Sequence, residues 1–164
     1  MTQDEALKIM QSGRNIYLTG SAGTGKSWLT NLFIETMKTT KRVAVTASTG
    51  IAATQYQNGR TIHAWSGTNI LDDLDDPRFW GAVNNTKKMS DILNTQVLII
   101  DEISMLTGKK FTLIDQAARR ARHDNRPFGG MQVVLVGDFF QLPPVGPGKA
   151  DWVFETDTWK DLDL

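Results

Sequence analysis

The stretch Gly20-Ser21-Ala22-Gly23-Thr24-Gly25-Lys26-Ser27 constrains this chain more than any other. It fits G-x-x-x-x-G-K-[ST], a phosphate-binding loop that needs a strand before it and a helix after it. Both are legible. Asn15-Ile16-Tyr17-Leu18-Thr19 reads as a short buried strand, and Trp28 to Met37 carries Leu29, Leu32, Phe33 and Met37 at helical spacing. The glycines let the loop curl until successive backbone N–H groups point inward at an anion. The start of the helix adds partial positive charge. In such a loop Lys26 reaches the β- and γ-phosphates and the Ser27 hydroxyl ligates Mg²⁺. A nucleoside triphosphate with Mg²⁺ is the expected ligand. Gly20 to Ser27, with Trp28 next to them, are the expected contacts.

Three further apolar runs supply the rest of a sheet. Val43-Ala44-Val45-Thr46 follows the loop helix, and strand–helix–strand at this spacing implies a right-handed crossover in a parallel sheet. Gln96-Val97-Leu98-Ile99-Ile100-Asp101-Glu102 ends an unbroken hydrophobic run on two carboxylates. A strand buried on both faces reads this way, and ligands bind beyond the C-terminal ends of such strands. Two adjacent acids there are costly unless a cation compensates. Asp101 is accordingly the expected Mg²⁺ partner of Ser27, and Glu102 the expected general base for an attacking water. Met131 to Val136 is the next strand, and Gln141 follows its end, where a glutamine can contact a γ-phosphate or position water.

Between these runs lie segments with two open readings. Ala47-Ser48-Thr49-Gly50-Ile51-Ala52-Ala53 is either a helix cap packed on the sheet or a small-residue surface that lets another polymer approach. His63 and Trp65 either touch a nucleic-acid strand or serve as a satisfied turn residue and a core ring. Residues 67–95 are polar, interrupted and rich in Asp, which reads as an inserted loop-and-helix segment on the surface. Phe79 and Trp80 in it either form an exposed wedge or anchor it. Residues 3–12 form an amphipathic helix with Ala6, Leu7, Ile9 and Met10 inward, opened by a capping box from Thr2 to Glu5. Residues 108–123 form another, with Phe111, Ile114, Ala118 and Ala121 inward and a solvated face of Lys109, Lys110, Arg119, Arg120 and Arg122.

Composition narrows the class. The 164 residues suit one α/β domain with a small insertion. Eighteen basic residues balance eighteen acidic ones, so no strongly basic nucleic-acid footprint exists. With no cysteine, disulfides and thiolate metal sites are excluded. No apolar run approaches the roughly 18 residues of a membrane span, and the polar start is unlike a targeting peptide. An intracellular setting without a membrane partner is expected: cytoplasm or nucleoid in a bacterium or phage host, nucleus in a eukaryote.

Four segments together resemble the motor of Pif-type DNA helicases, RecD-like members of superfamily one. They are GSAGTGKS (20–27), TASTGIAA (46–53) with TIHAW (61–65), VLIIDEISML (97–106) and VGDFFQLPPV (136–145). The similarity covers nearly the whole chain but only the first half of such a motor. It implies a RecA-like P-loop NTPase fold: a central parallel sheet with helices on both faces and a small inserted subdomain. Residues 1–66 and 96–164 would form the motor domain, and 67–95 the insertion that carries a strand-separating wedge. By position the resemblance implies that Gln3 reads adenine, that Lys26 and Ser27 hold phosphate and Mg²⁺, and that Asp101 and Glu102 are the metal-binding and catalytic acids. Gln141 would be the γ-phosphate sensor. Thr49, Gly50, His63 and Trp65 would line a track for single-stranded DNA. The resemblance also implies a second RecA-like domain with arginines that complete the ATP site, their first motif expected soon after Trp159, beyond Leu164. The chain is thus expected to be a fragment that binds nucleotide, turns over slowly and does not unwind, taken from a 5′-to-3′ helicase. A small-molecule P-loop kinase and a non-catalytic nucleotide-binding module are the alternatives at this level.

Overall fold

The computed structural model describes residues 1–21, 23–68, 71, 75–83, 86–140 and 150–164. Among them, five strands form one all-parallel sheet: β1 (Ile16–Thr19), β2 (Val43–Ala47), β3 (Arg60–Thr61), β4 (Val97–Asp101) and β5 (Gln132–Gly137). Their order in space is β1-β5-β4-β2-β3. Parallel pairing sends every strand's C-terminal end the same way. The loops after Thr19, Ala47, Asp101 and Gly137 therefore gather on one edge, where ligands of open α/β sheets bind.

Alternation along the central strands decides which helix covers which face. Val97, Ile99, Val134 and Val136 pack against Met10 of α1 (Gln3–Gln11) and against Leu29, Phe33 and Met37 of α2 (Lys26–Met37). Leu98, Ile100, Val133 and Leu135 turn the other way. They meet Ile62 and Trp65 of α4 (Ile62–Ser66), Ile92 of α6 (Thr86–Asn94), and Phe111, Ile114 and Ala118 of α7 (Gly108–Ala121). Phe33 and Phe111 are fully buried, each contributing about 1.5–3 kcal/mol by removal from water. Two short helices, α3 (Gly50–Ala53) and α5 (Arg78–Val83), and the C-terminal α8 (Asp157–Asp161) complete the described helices. The sheet with helices on both faces is the expected α/β fold. No helix among the described residues is long and apolar enough to cross a membrane.

Local expectations fare unevenly. The Thr2–Glu5 capping box is present. Ile9 is 37% exposed rather than inward, because α1 rests on the sheet through Met10 with Ala6 and Leu7. The second helix starts at Lys26, two residues before the apolar spacing begins, so Lys26 and Ser27 lie in its first turn. The cationic face of α7 is not simply solvated. Lys110 is buried and donates to the Leu71 carbonyl, and Arg122 donates to the carbonyls of Gly129, Ile92 and Thr95. Long basic side chains here tie the 67–95 segment and its neighbours to the body. Phe79 and Leu71 from that segment pack on Leu113 and Ala117, so Phe79 anchors; the Trp80 side chain lies outside the described residues. Near the C-terminus, Trp159 packs edge-on to Tyr17 at 5.2 Å and to Phe139 at 5.8 Å.

Candidate active site

A cleft of about 480 Å³ opens at the C-terminal edge of the sheet, lined by Ser21, Gly23 to Ser27, Gln55, Asp101, Glu102, Val136 and Gly137. The phosphate loop and the acid pair, 75 positions apart between Lys26 and Asp101, thus face one space. The reason is topological: β1 and β4 flank β5, so the loop after β1 and the turn after β4 converge over the end of β5.

The loop is closed by its own polar groups. Thr24 Oγ1 donates to the Ser21 carbonyl at 2.7 Å. The Lys26 ammonium donates across the loop to the carbonyls of Gly20 and Ser21. Gly25 caps α2 with φ +88°, a left-handed conformation that L side chains rarely adopt. A Cβ there would also meet Gln3 Nε2 at 2.6 Å, so the loop's last glycine is where Gln3 of α1 comes against it. Trp28 is 55% exposed on the outer side of α2 and does not line the cleft. Ala22 and Gln141 lie outside the described residues.

Opposite the loop, Asp101 is 6% exposed and accepts two hydrogen bonds. Its Oδ1 takes the Glu102 N–H at 2.7 Å, and its Oδ2 takes the Tyr56 hydroxyl at 2.6 Å. Burial first, then the bond to Asp101, pushes the Tyr56 phenol well above its ordinary range, so it stays a donor. Glu102 has φ 53° and ψ 45°, a left-handed conformation costly for a residue with a Cβ. Ser48 holds it there, its Oγ donating to the Glu102 carbonyl at 2.7 Å and its N–H to the Asp101 carbonyl at 3.1 Å. Burial and then the Asp101 charge raise the Glu102 carboxyl pKa, while the Lys26 charge opposes them. Two carboxylates and a serine hydroxyl are hard oxygen donors, few in number. That set fits a cation such as Mg²⁺ that keeps several waters and shares its shell with phosphates, and among the described residues no cluster of three or more acidic, His or Cys ligands exists.

The residues expected on a DNA track follow β2 and β3 at the same end of the sheet. Parallel register pairs Ala47 with Thr61, the last residues of β2 and β3, and Thr49 and His63 each follow two positions further along the chain. Thr49 caps α3 through its hydroxyl, and Gly50 opens that helix with free space where a side chain would be. Trp65 requires a correction. It is 2% exposed within the core against the sheet, so its ring is not available to stack on a base. Its position one helical turn beyond Thr61 on the inward side of α4 fixes that burial. Sequence reasoning missed Gln55 and Tyr56. They lie in a polar turn, Thr54 to Gly59, whose composition signals only a loop.

Comparisons with known proteins point to one family. A profile described as PIF1-like helicase matches residues 3–160. The ATP-dependent DNA helicase Pif1 of Psychrobacter sp. is 47% identical over 167 residues, an alignment covering 98% of this chain and 25% of that protein. The crystal structure of Pif1 helicase from Candida albicans superposes with a TM-score of 0.88 at 40% identity, covering 98% of this chain and 37% of that one. A Bacteroides Pif1 helicase in complex with ADP-AlF3 and single-stranded DNA gives a TM-score of 0.81 at 30% identity, covering 97% of this chain and 39% of that one. The chain spans about a quarter of the length of the Psychrobacter relative. Matching over nearly all of its length, the chain belongs to the PIF1-like helicase family.

Proposed function

We propose that this chain is the ATP-binding half of a motor that translocates 5′ to 3′ on single-stranded DNA and unwinds duplex with energy from ATP hydrolysis. The observation that carries the reading is the shared cleft: Lys26 and Ser27 face Asp101 and Glu102 across one space at the end of the sheet. The Bacteroides relative holding a nucleotide mimic and single-stranded DNA supports the two ligand classes.

In this reading the loop N–H groups and Lys26 bind the β- and γ-phosphates, the ammonium exchanging its two loop carbonyls for phosphate oxygens. Gln3, set against Gly25, reads the adenine edge. Ser27 and Asp101 would hold Mg²⁺, which would neutralise charge on the phosphates. Glu102 takes the proton of the attacking water, and Gln141 senses the γ-phosphate. Thr49, Gly50 and His63 form this half of the DNA track, with the 67–95 segment as an inserted subdomain beside it. A second RecA-like domain supplies arginines and the other half of the track, and the motor works inside the cell. An arginine donated in trans accelerates GTPases by about 10³–10⁵, so the 164-residue chain alone is expected to bind nucleotide and hydrolyse it slowly.

The test is turnover by a version long enough to include the second domain. There Glu102→Gln should keep nucleotide affinity and cut DNA-stimulated hydrolysis by about 10²–10⁴-fold, the usual worth of a general base. Unchanged turnover would remove Glu102 from the mechanism. Stimulation by a small metabolite instead of single-stranded DNA would favour a kinase.

A further inference from the structure

We propose that Tyr56 is a positioning residue of the metal site, holding the Asp101 carboxylate in the orientation that receives a nucleotide-bound divalent cation. This rests on the reading of the cleft given above. Tyr56 is 5% exposed although its loop neighbours are polar and exposed. Its hydroxyl donates to Asp101 Oδ2 at 2.6 Å while the Glu102 N–H donates to Oδ1 at 2.7 Å. One donor on each oxygen fixes the plane of the carboxylate and leaves each oxygen a lone pair.

Both donors are neutral. Among the described residues Asp101 takes part in none of the ion pairs. A carboxylate held by neutral donors is oriented yet keeps its charge for a cation, whereas an arginine in the same place would compete with it. The turn that carries Tyr56 is itself fixed. Its N–H donates to the Ala53 carbonyl and its carbonyl accepts from the Gly59 N–H at 3.1 Å. A Cβ at Gly59 would lie 2.1 Å from the Ala53 carbonyl oxygen, so the turn closes only with glycine there. Because this turn joins the Thr49–Gly50 helix to the strand before His63, the same bond ties the expected DNA-facing segment to the metal-binding acid.

The experiment measures binding of a fluorescent, non-hydrolysed ATP analogue to the 164-residue chain, first in chelator and then across a Mg²⁺ titration. Direct Mn²⁺ binding by paramagnetic resonance serves as a second readout. Tyr56→Phe keeps the buried ring and removes the donor. It should leave the metal-free affinity within about twofold and raise the half-saturating Mg²⁺ by about five- to tenfold, part of the worth of a hydrogen bond to a charged group. Asp101→Asn should raise that midpoint further, and adding Tyr56→Phe to it should change nothing more. If Asp101→Asn leaves the midpoint in place, the reading of the cleft itself fails. If Asp101→Asn moves it and Tyr56→Phe does not, only the role of Tyr56 is lost. Equal weakening of metal-free and metal-bound affinity, with a lowered Tm, would make Tyr56 a packing residue and overturn the proposal.

Discussion

Asp101 and Asp115 are both buried carboxylates, 6% and 0% exposed, and they are served in opposite ways. Asp115 lies on α7 away from the cleft. It accepts from Arg119 Nε at 2.9 Å, the Phe128 N–H at 2.7 Å and Thr158 Oγ1 at 2.8 Å. Its charge is met by a cation, and its bonds clamp α7, the 127–130 turn and α8 together. Asp101 has two neutral donors and, as its next neighbour, a second acid. Uncompensated buried charge is expensive, and that cost at the mouth of a cleft is the ground for proposing that Asp101 receives a cation there. Compensation separates the structural acid from the one proposed to bind a metal; burial alone does not.

The contrast breaks most visibly at Asp115. Asp115→Ala removes the partner of Arg119 Nε and the acceptors of the buried Phe128 N–H and Thr158 hydroxyl. Removing one partner of a buried pair costs about 3–5 kcal/mol. Denaturant unfolding of the 164-residue chain should report a loss of that size. A loss under 1 kcal/mol would mean that the three bonds are not what joins these elements.

A finer test makes Asp115 resemble Asp101. Arg119→Gln removes the cation while Thr158 and the Phe128 N–H remain as neutral donors. Hydrogen bonds to charged groups are worth about 1.5–3 kcal/mol, and Arg119 also touches Asp161 at 3.5 Å and the Asn125 carbonyl at 2.9 Å. A destabilisation of about 2 kcal/mol is expected, smaller than that of Asp115→Ala. Nucleotide affinity of the folded fraction should be unchanged, since α7 does not line the cleft.

How much of this was legible depended on what carries each feature. The loop at 20–27 and the acids at 101–102 are contiguous strings, and the hydrophobic run ending on Asp101 declared both its strand and its place at the sheet edge. The alternation of Val97 and Ile99 against Leu98 and Ile100 split the helices between faces, but only after pairing was known, because a strand apolar on both sides gives no face signal. Tyr56 was invisible for a different reason. Its bond to Asp101 spans 45 positions and starts in a polar turn that carries no motif. Arg122 and Lys110 misled because a charge on a helix is usually hydrated, whereas here the buried ends of neighbouring segments offer carbonyls to them. For Trp65, composition favours core and the family resemblance favours the DNA track, and its burial against the sheet decides for core.

The smallest expected effect concerns the acid beside Asp101. In the folded chain, burial and the Asp101 charge raise the Glu102 pKa above its ordinary value. A group with a raised folded pKa favours folding fully below its unfolded pKa and loses that contribution as pH rises through the folded value. Ionised Glu102 therefore costs stability at neutral pH, whereas Asp115, paired with Arg119, does not stand alone. Glu102→Gln should stabilise the metal-free chain at pH 7 by at most about 1 kcal/mol after solvent screening, or about 2–4 °C in Tm for a chain of this size. The gain should shrink toward zero as pH falls below the unfolded glutamate range near about 4.3. The glutamine keeps the left-handed backbone at position 102, so strain cancels from the difference and the pH dependence isolates charge. A variant that is less stable at neutral pH, or a gain that persists in acid, would mean that the crowding of Asp101 and Glu102 is not electrostatically costly, and the separation of structural from functional acids would lose its physical basis.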